Sequence, residues 1–273
     1  MSEHASWEAR LGRMKSAVEL WAQRTSGDDN GPARVEPSSS LAGDDKLFPD
    51  HPVSSVAWHG LITAVEHLDF ALTALAKTQT LYPAAYFTTL RAGLLGAAQA
   101  VWVLDPHGRK ERQMRALAAA ATNYTEQRKA IGALSPTTPE QAAELSALRD
   151  KLSNRLNEVA AAAESIGCDP AKARKLSLVA TDVIKRAASA ALAGTPEQEY
   201  AMYLWRIGSG HVHGHPYTRY LQLRTGDLTT DADGRLWGRN TATITEVGLA
   251  ASAVVLITGR AWALYDQRRS NQL

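Results

Sequence analysis

The chain is 273 residues long, and its 30 Lys and Arg against 28 Asp and Glu leave a formal charge of +2. That balance excludes a polyanion-binding surface spread over the whole molecule, so any basic site is local. Hydrophobic residues at 45% and charged residues at 21% are ordinary globular values and exclude a disordered chain, while the single cysteine, Cys168, excludes an internal disulfide and a cysteine-rich zinc site and fits a reducing compartment.

Within residues 5–24, Leu11, Met14, Val18 and Trp21 recur at helical spacing and predict an amphipathic N-terminal helix. With Glu3 and Glu8 near its start and no unbroken apolar stretch, Met1 to Thr25 does not resemble a secretory signal. Gly27 to Pro52 breaks the helical pattern with Asp28-Asp29-Asn30-Gly31-Pro32, three serines from Ser38 to Ser40, and Pro49, which predicts a flexible linker. The first helix is then expected to be a detached arm suited to packing on a second subunit.

An apolar stripe returns over Ser54 to Lys77 with Val56, Leu61, Val65, Leu68, Leu72 and Leu75. Tyr82 to Asp105 reads as a second long helix, ended at Asp105-Pro106 because proline disfavours helical geometry in the residue before it. Arg109 to Ile131 resumes the helix with Arg109, Lys110, Arg112 and Arg115 in its first turns, where cations oppose the helix dipole. Those charges read either as a solvated face or as phosphate contacts, with Arg109 and Arg112 as candidate substrate-binding residues.

Thr138-Pro139-Glu140-Gln141 carries a capping signal that opens a long helix from Thr137 to Ile166. Pro170 to Leu192 is predicted as one further helix, and Thr195-Pro196-Glu197-Gln198 repeats the capping pattern before the next. Tyr220 to Arg224 is strand-like, and Leu236-Trp237 follows the turn signals Gly226 and Asp231 to Gly234. Glu246 to Arg268 closes the chain as a packed helix. Its most apolar run, Val247 to Thr258, meets Arg260 before the roughly 20 residues a membrane span needs, so no membrane contact and a cytoplasmic location are expected.

The predicted architecture is all-α: a helical bundle of about seven to eight helices with a short β-hairpin or irregular flap near 217–243. Its expected divisions are an N-terminal helical arm (1–25), a flexible linker (26–53) and a helical domain (54–273).

Chemistry is concentrated between Tyr203 and Pro216. At about 100° per residue, a continuous helix places Ser209 about 60° and His213 about 20° from Arg206, so all three share one face. A fixed guanidinium charge beside an imidazole suits a phosphate or carboxylate substrate. His211 is the alternative imidazole, because Gly208 and Gly210 are expected to bend the helix and change which ring faces Arg206.

Two other readings stand beside this one. An arginine near a helix end can cap carbonyls, and a histidine before Gly214 can simply close the helix. In an extended strand, His211, His213 and His215 would share a side and could hold a metal. Trp205, Trp237 and Trp262 read either as stacking surfaces or as core. No glycine-rich phosphate loop, nucleophile elbow or dinucleotide fingerprint occurs.

Arg206, Ser209 and His213, with the string Ser209-Gly210-His211-Val212-His213-Gly214, resemble the arginine–histidine signature of the HEPN superfamily. Four residues separate Arg206 from His211 and six separate it from His213. Thr89-Leu90-Arg91-Ala92 and Val101 to Pro106 resemble the earlier arginine-bearing helix of similar bacterial proteins, and the likeness spans about residues 54–265.

The resemblance implies a metal-independent, cofactor-free endoribonuclease acting as a homodimer, a toxin or antiphage effector with a cognate inhibitor protein. Arg206 and His213 would be catalytic, Ser209 and His211 supporting, and Arg91 would join Arg109 and Arg112 in binding RNA. Two positions depart from the family pattern. Ile207 replaces the usual polar residue after the arginine, and Tyr82 to Leu104 holds no Asp or Glu, leaving Glu66 or Asp69 to position Arg206. The alternative expectation is a non-catalytic HEPN-like dimer that binds a nucleotide, nucleic acid or protein.

Overall fold

The computed structural model describes residues 3–26, 34–222, 228–238 and 242–271. Its helices are α1 (Glu3–Thr25), α2 (Ser40–Asp45), α3 (Val53–Thr78), α4 (Pro83–Leu104), α5 (Arg109–Gly132) and α6 (Pro139–Ser165). They continue with α7 (Pro170–Ala173), α8 (Ala180–Leu192), α9 (Pro196–Val212), α10 (Tyr217–Gln222) and α11 (Ile244–Arg269). The protein is all-α, with one small sheet of β1 (Leu228–Thr230) and β2 (Leu236–Gly238) among the described residues. Three helices, α2, α7 and α10, have only 6, 4 and 6 residues, too short for an apolar repeat to announce them.

The folded chain divides into two units. The first comprises Met1–Arg34, Trp58–Val101 and Thr181–Ala263, and the second Val35–Ala57, Trp102–Ala180 and Leu264–Leu273. This division differs from the expected order of arm, linker and domain, since each unit is assembled from three separate stretches of the chain, the N-terminal end entering the first and the C-terminal end the second.

In the first unit α3 and α4 form an antiparallel pair that closes at Gly60 and Gly96. A Cβ on either glycine would lie within 2.7 Å of the other helix's backbone, so only the bare backbone permits this approach. Leu61, Leu68, Phe87, Leu90 and Leu94 are fully buried around the pair, as are Leu204 and Ile207 of α9 and Val254 and Ile257 of α11.

The N-terminal helix is not a detached arm. Trp7 is buried over Gly248, where a Cβ would fall 2.6 Å from the indole Cζ3. Ser252 hydrogen-bonds the Met14 sulfur at 3.9 Å, and Arg24 stacks 3.8 Å over the Trp262 ring. Contacts advance together along both helices, so α1 runs parallel to α11. The small residues of α11 form the trough that receives the α1 stripe, which is why the apolar face needs no second subunit.

In the second unit, part of the expected linker is packed structure. Ser39 caps α2, accepting from the Ala42 amide at 3.1 Å, while Leu41 and Asp44 are buried. Residues 27–33 lie outside the described residues. Tyr124, Leu117, Leu152, Val159 and Ala163 of α5 and α6 form the apolar core of this unit. Arg268 donates to the carbonyls of Leu104, Asp105 and Pro106, and so covers acceptors left open at the end of α4.

Three local expectations change. The predicted helix over 170–192 is broken between α7 and α8, where the Leu178 amide bonds the Thr122 hydroxyl at 2.7 Å instead of a helical carbonyl. Thr195 opens α9 but does not cap it with its side chain, because its hydroxyl donates back to Leu192 O at 2.8 Å. The strand-like run from Tyr220 is the end of α10 as far as Gln222, with Leu223 and Arg224 outside the described residues.

The hairpin is formed by Leu228–Thr230 instead. It turns through Asp231, whose carboxylate accepts from the amides of Asp233 and Arg235 at 3.0 and 2.8 Å. Helices α4 and α11 are long and apolar enough to cross a membrane by length and composition, but 61% and 67% of their most apolar windows are buried in the protein, as in core helices.

Candidate functional site at the end of helix α9

All of α9 and α10 and the adjoining face of α4 belong to the first unit. Helix α9 runs unbroken through Gly208 and Gly210 to Val212. The two glycines, about 200° apart, admit close neighbours on opposite sides of the helix. A Cβ at Gly208 would meet Phe87 O at 2.6 Å and Arg91 Cβ at 2.8 Å on α4, and one at Gly210 would meet Tyr217 Oη at 2.5 Å.

His213 caps α9 and Gly214 follows with φ +64°, a conformation that favours glycine. The Gly214 amide bonds His211 O at 3.2 Å and the His215 amide bonds Gly210 O at 2.8 Å, which satisfies two terminal carbonyls and reverses the chain. Thr218 and Gln222 of α10 then face inward and are buried, and the Tyr217 hydroxyl donates to Arg206 O at 2.7 Å. This bond fastens α10 back along the α9 side that carries Arg206.

Arg206 is exposed, and its guanidinium pairs with no described residue. The expected positioning carboxylates do not meet it; Asp69 accepts instead from the Thr73 hydroxyl at 3.4 Å. Ser209 is half-buried on the same side. The exposed His213 ring lies 5.6 Å from that of His215, which in turn lies 6.0 Å from the Tyr217 ring at an interplanar angle of 28°. Arg206, Ser209 and His213 therefore border a short series of exposed rings. His215 was read from the sequence only as a candidate metal ligand and Tyr217 was not singled out; the signal was the pairing of Gly210 with an aromatic residue just after a helix-closing glycine.

His211 points elsewhere. Its ring stacks on Phe87 at 6.0 Å and 10°, and Nε2 lies 3.2 Å from Gln222 Oε1. Burial holds its pKa below the ordinary imidazole value, the Arg219 charge adds to that, and the Gln222 hydrogen bond opposes it. A neutral ring donating Nε2–H to Gln222 suits this setting. With His211 in helix and His213 at its cap, the three histidines do not alternate along a strand. No group of three or more His, Cys, Asp or Glu suited to a metal occurs among the described residues.

The expected substrate-binding arginines are otherwise engaged. Arg91 lies beside Gly208, across α9 from Arg206, with its guanidinium 3.9 Å over the Trp205 ring. Its Nε is buried without a hydrogen-bond partner, and burial lowers its pKa. The cation is held by the indole face.

Arg109 and Arg112 lie in the second unit. Arg112 is 2% exposed and commits every donor: Nε and Nη2 to Asp44 at 2.6 and 2.9 Å, Nη2 also to Ser40 at 2.9 Å, and Nη1 to Pro106 O and His107 O. It has none left for phosphate. Arg109 pairs with the same Asp44 at 3.2 Å. The basic stripe on α5 is thus split: Arg112 is enclosed in an ion-pair network, Arg115 donates to Trp102 O and Glu111 at 2.5 Å, and Arg109 and Lys110 are exposed to solvent. Of the three tryptophans, Trp205 and Trp262 are buried and Trp237 is exposed on the hairpin.

Comparison with protein-family models, with curated proteins and with solved structures found no match for this chain. The class that fold and site define is thus an all-α protein with an arginine–histidine face at the C-terminal end of one helix.

Proposed function

We propose that this face binds and cleaves RNA without a metal, as the HEPN-like resemblance implies. The observation that carries the reading is the exposed Arg206, unpaired among the described residues, on the same α9 side as Ser209 and His213. No Asp or Glu occurs in sequence between Tyr200 and Gly226, and the carboxylate felt on this helix is that of Glu246 at Tyr200 and Tyr203, a turn or more before Arg206. Arg206 offers forked donors to the non-bridging oxygens of a phosphate.

In the proposed reaction the RNA 2'-hydroxyl attacks its own phosphorus as the bond to the 5'-oxygen breaks. An imidazole takes the 2'-proton, a proton reaches the departing 5'-oxygen, and the products are a 2',3'-cyclic phosphate and a 5'-hydroxyl. His213 moves the proton, Arg206 neutralises the charge that develops on phosphate, and Ser209 orients one or the other. A cytoplasmic homodimer would bring two such faces to one RNA, and a cognate inhibitor protein would cover them.

Labelled RNA incubated with the full chain in EDTA tests this. Cleavage should vanish in Arg206→Ala and return in part in Arg206→Lys; undiminished cleavage by Arg206→Ala refutes it. A binding protein without hydrolysis is the second reading. It is favoured by the buried Ile207, which puts a core residue where the family has a polar one, and by the lack of a carboxylate paired with Arg206 among the described residues.

A further inference from the structure

We propose that the ring series His213, His215 and Tyr217 is a base-stacking track that makes this face select unpaired RNA. The inference rests on the reading of the α9 end as an RNA site and goes on to name which form of RNA the site takes. The three rings are exposed, and successive centroids lie 5.6 and 6.0 Å apart. Core packing does not explain an exposed series, and no metal-binding group is formed by it among the described residues.

The series is also placed, not loose. The Tyr217 hydroxyl is tied to Arg206 O at 2.7 Å, its ring occupies space that a Cβ at Gly210 would close, and the His215 amide is held by Gly210 O at 2.8 Å. The track therefore begins at the proton-transferring imidazole and ends beside the phosphate-binding arginine. Arg206 and Arg219 supply the local charge. An unpaired base offers a π-face to such rings, whereas a base in a duplex already gives both faces to its neighbours. The track thus admits single strands and leaves a duplex only its phosphates to bind.

The test uses the full chain and an RNA of about 12 nucleotides, within the span one such surface covers, with 2'-O-methyl groups so that it cannot be cut. Affinity is measured for the single strand and for the same strand in a duplex. The single strand should bind more tightly. His215→Ala and Tyr217→Ala should each weaken it roughly five-fold or more, with little change for the duplex. Tyr217→Phe, which keeps the ring and loses only the bond to Arg206 O, should weaken the single strand less than Tyr217→Ala does, and Arg206→Ala should weaken both forms.

Tyr217→Ala also removes the bond that holds α10 to Arg206 O, so His215→Ala, an exposed ring, decides, with circular dichroism as the check on folding. Equal affinity for strand and duplex, or unchanged single-strand affinity in His215→Ala, overturns the track; if Arg206→Ala still weakens binding, the RNA reading survives. Failure of the parent to bind either RNA overturns both. A dimer that becomes a monomer in His215→Ala, without loss of RNA affinity, would make the ring series a contact between copies and also overturn the proposal.

Discussion

Asp44 shows how one carboxylate decides the fate of several cations. Its side chain is fully buried against Arg112, itself almost wholly enclosed, so removing Arg112 leaves the buried carboxylate with only the largely exposed Arg109 as its cation. Arg112→Met is expected to cost about 3–5 kcal/mol in urea unfolding, and a cost under about 1 kcal/mol would show that the pair is dispensable.

His211 gives a residue-scale pH dependence. Its pKa in the fold lies below that of the unfolded chain, so the unfolded state takes up the proton first as pH falls. Its stabilisation is full above about pH 6.5 and is lost as pH drops through the lower, folded value. The melting temperature of the parent should fall between pH 7 and pH 5 more than that of His211→Gln; parallel curves would contradict this.

Among the elements, glycines separate close contact from open space. A Cβ at Gly210 would press into Tyr217 and Thr218, so Gly210→Ala should displace α10 and destabilise by about 1–3 kcal/mol. A Cβ at Gly12, inside α1, meets nothing within 4 Å, and Gly12→Ala should stabilise by about 0.5–1 kcal/mol. Denaturation of the two variants with opposite signs checks the assignment, and equal signs would refute it.

The long helices were legible in the sequence from apolar stripes in α1, α3 and α6, from proline boundaries and from capping signals, although α8 was read as part of one helix over 170–192. Helix α2 was hidden by its six residues and by a serine run that reads as a linker, although Ser39 is its cap. The shared face of Arg206, Ser209 and His213 was legible from helical spacing. The engagement of Arg112 with Asp44 was not, because 68 residues separate them and only the fold brings them together.

At the scale of the whole molecule, a polar face is joined to packed helices that hold it still. Arg91 and Phe87 on one side of α9, and Tyr217 and Thr218 on the other, fix the helix end without touching the proposed proton transfer. The central claim is that His213 works on RNA while His211 packs. The most direct measurement compares the rate and end groups of RNA cleavage in EDTA for the parent, His213→Ala and His211→Gln, normalised to folded protein. The account predicts 2',3'-cyclic phosphate ends, a loss of about 100-fold or more in His213→Ala, and cleavage largely kept in His211→Gln. Cleavage kept in His213→Ala, or lost only in His211→Gln, would contradict it.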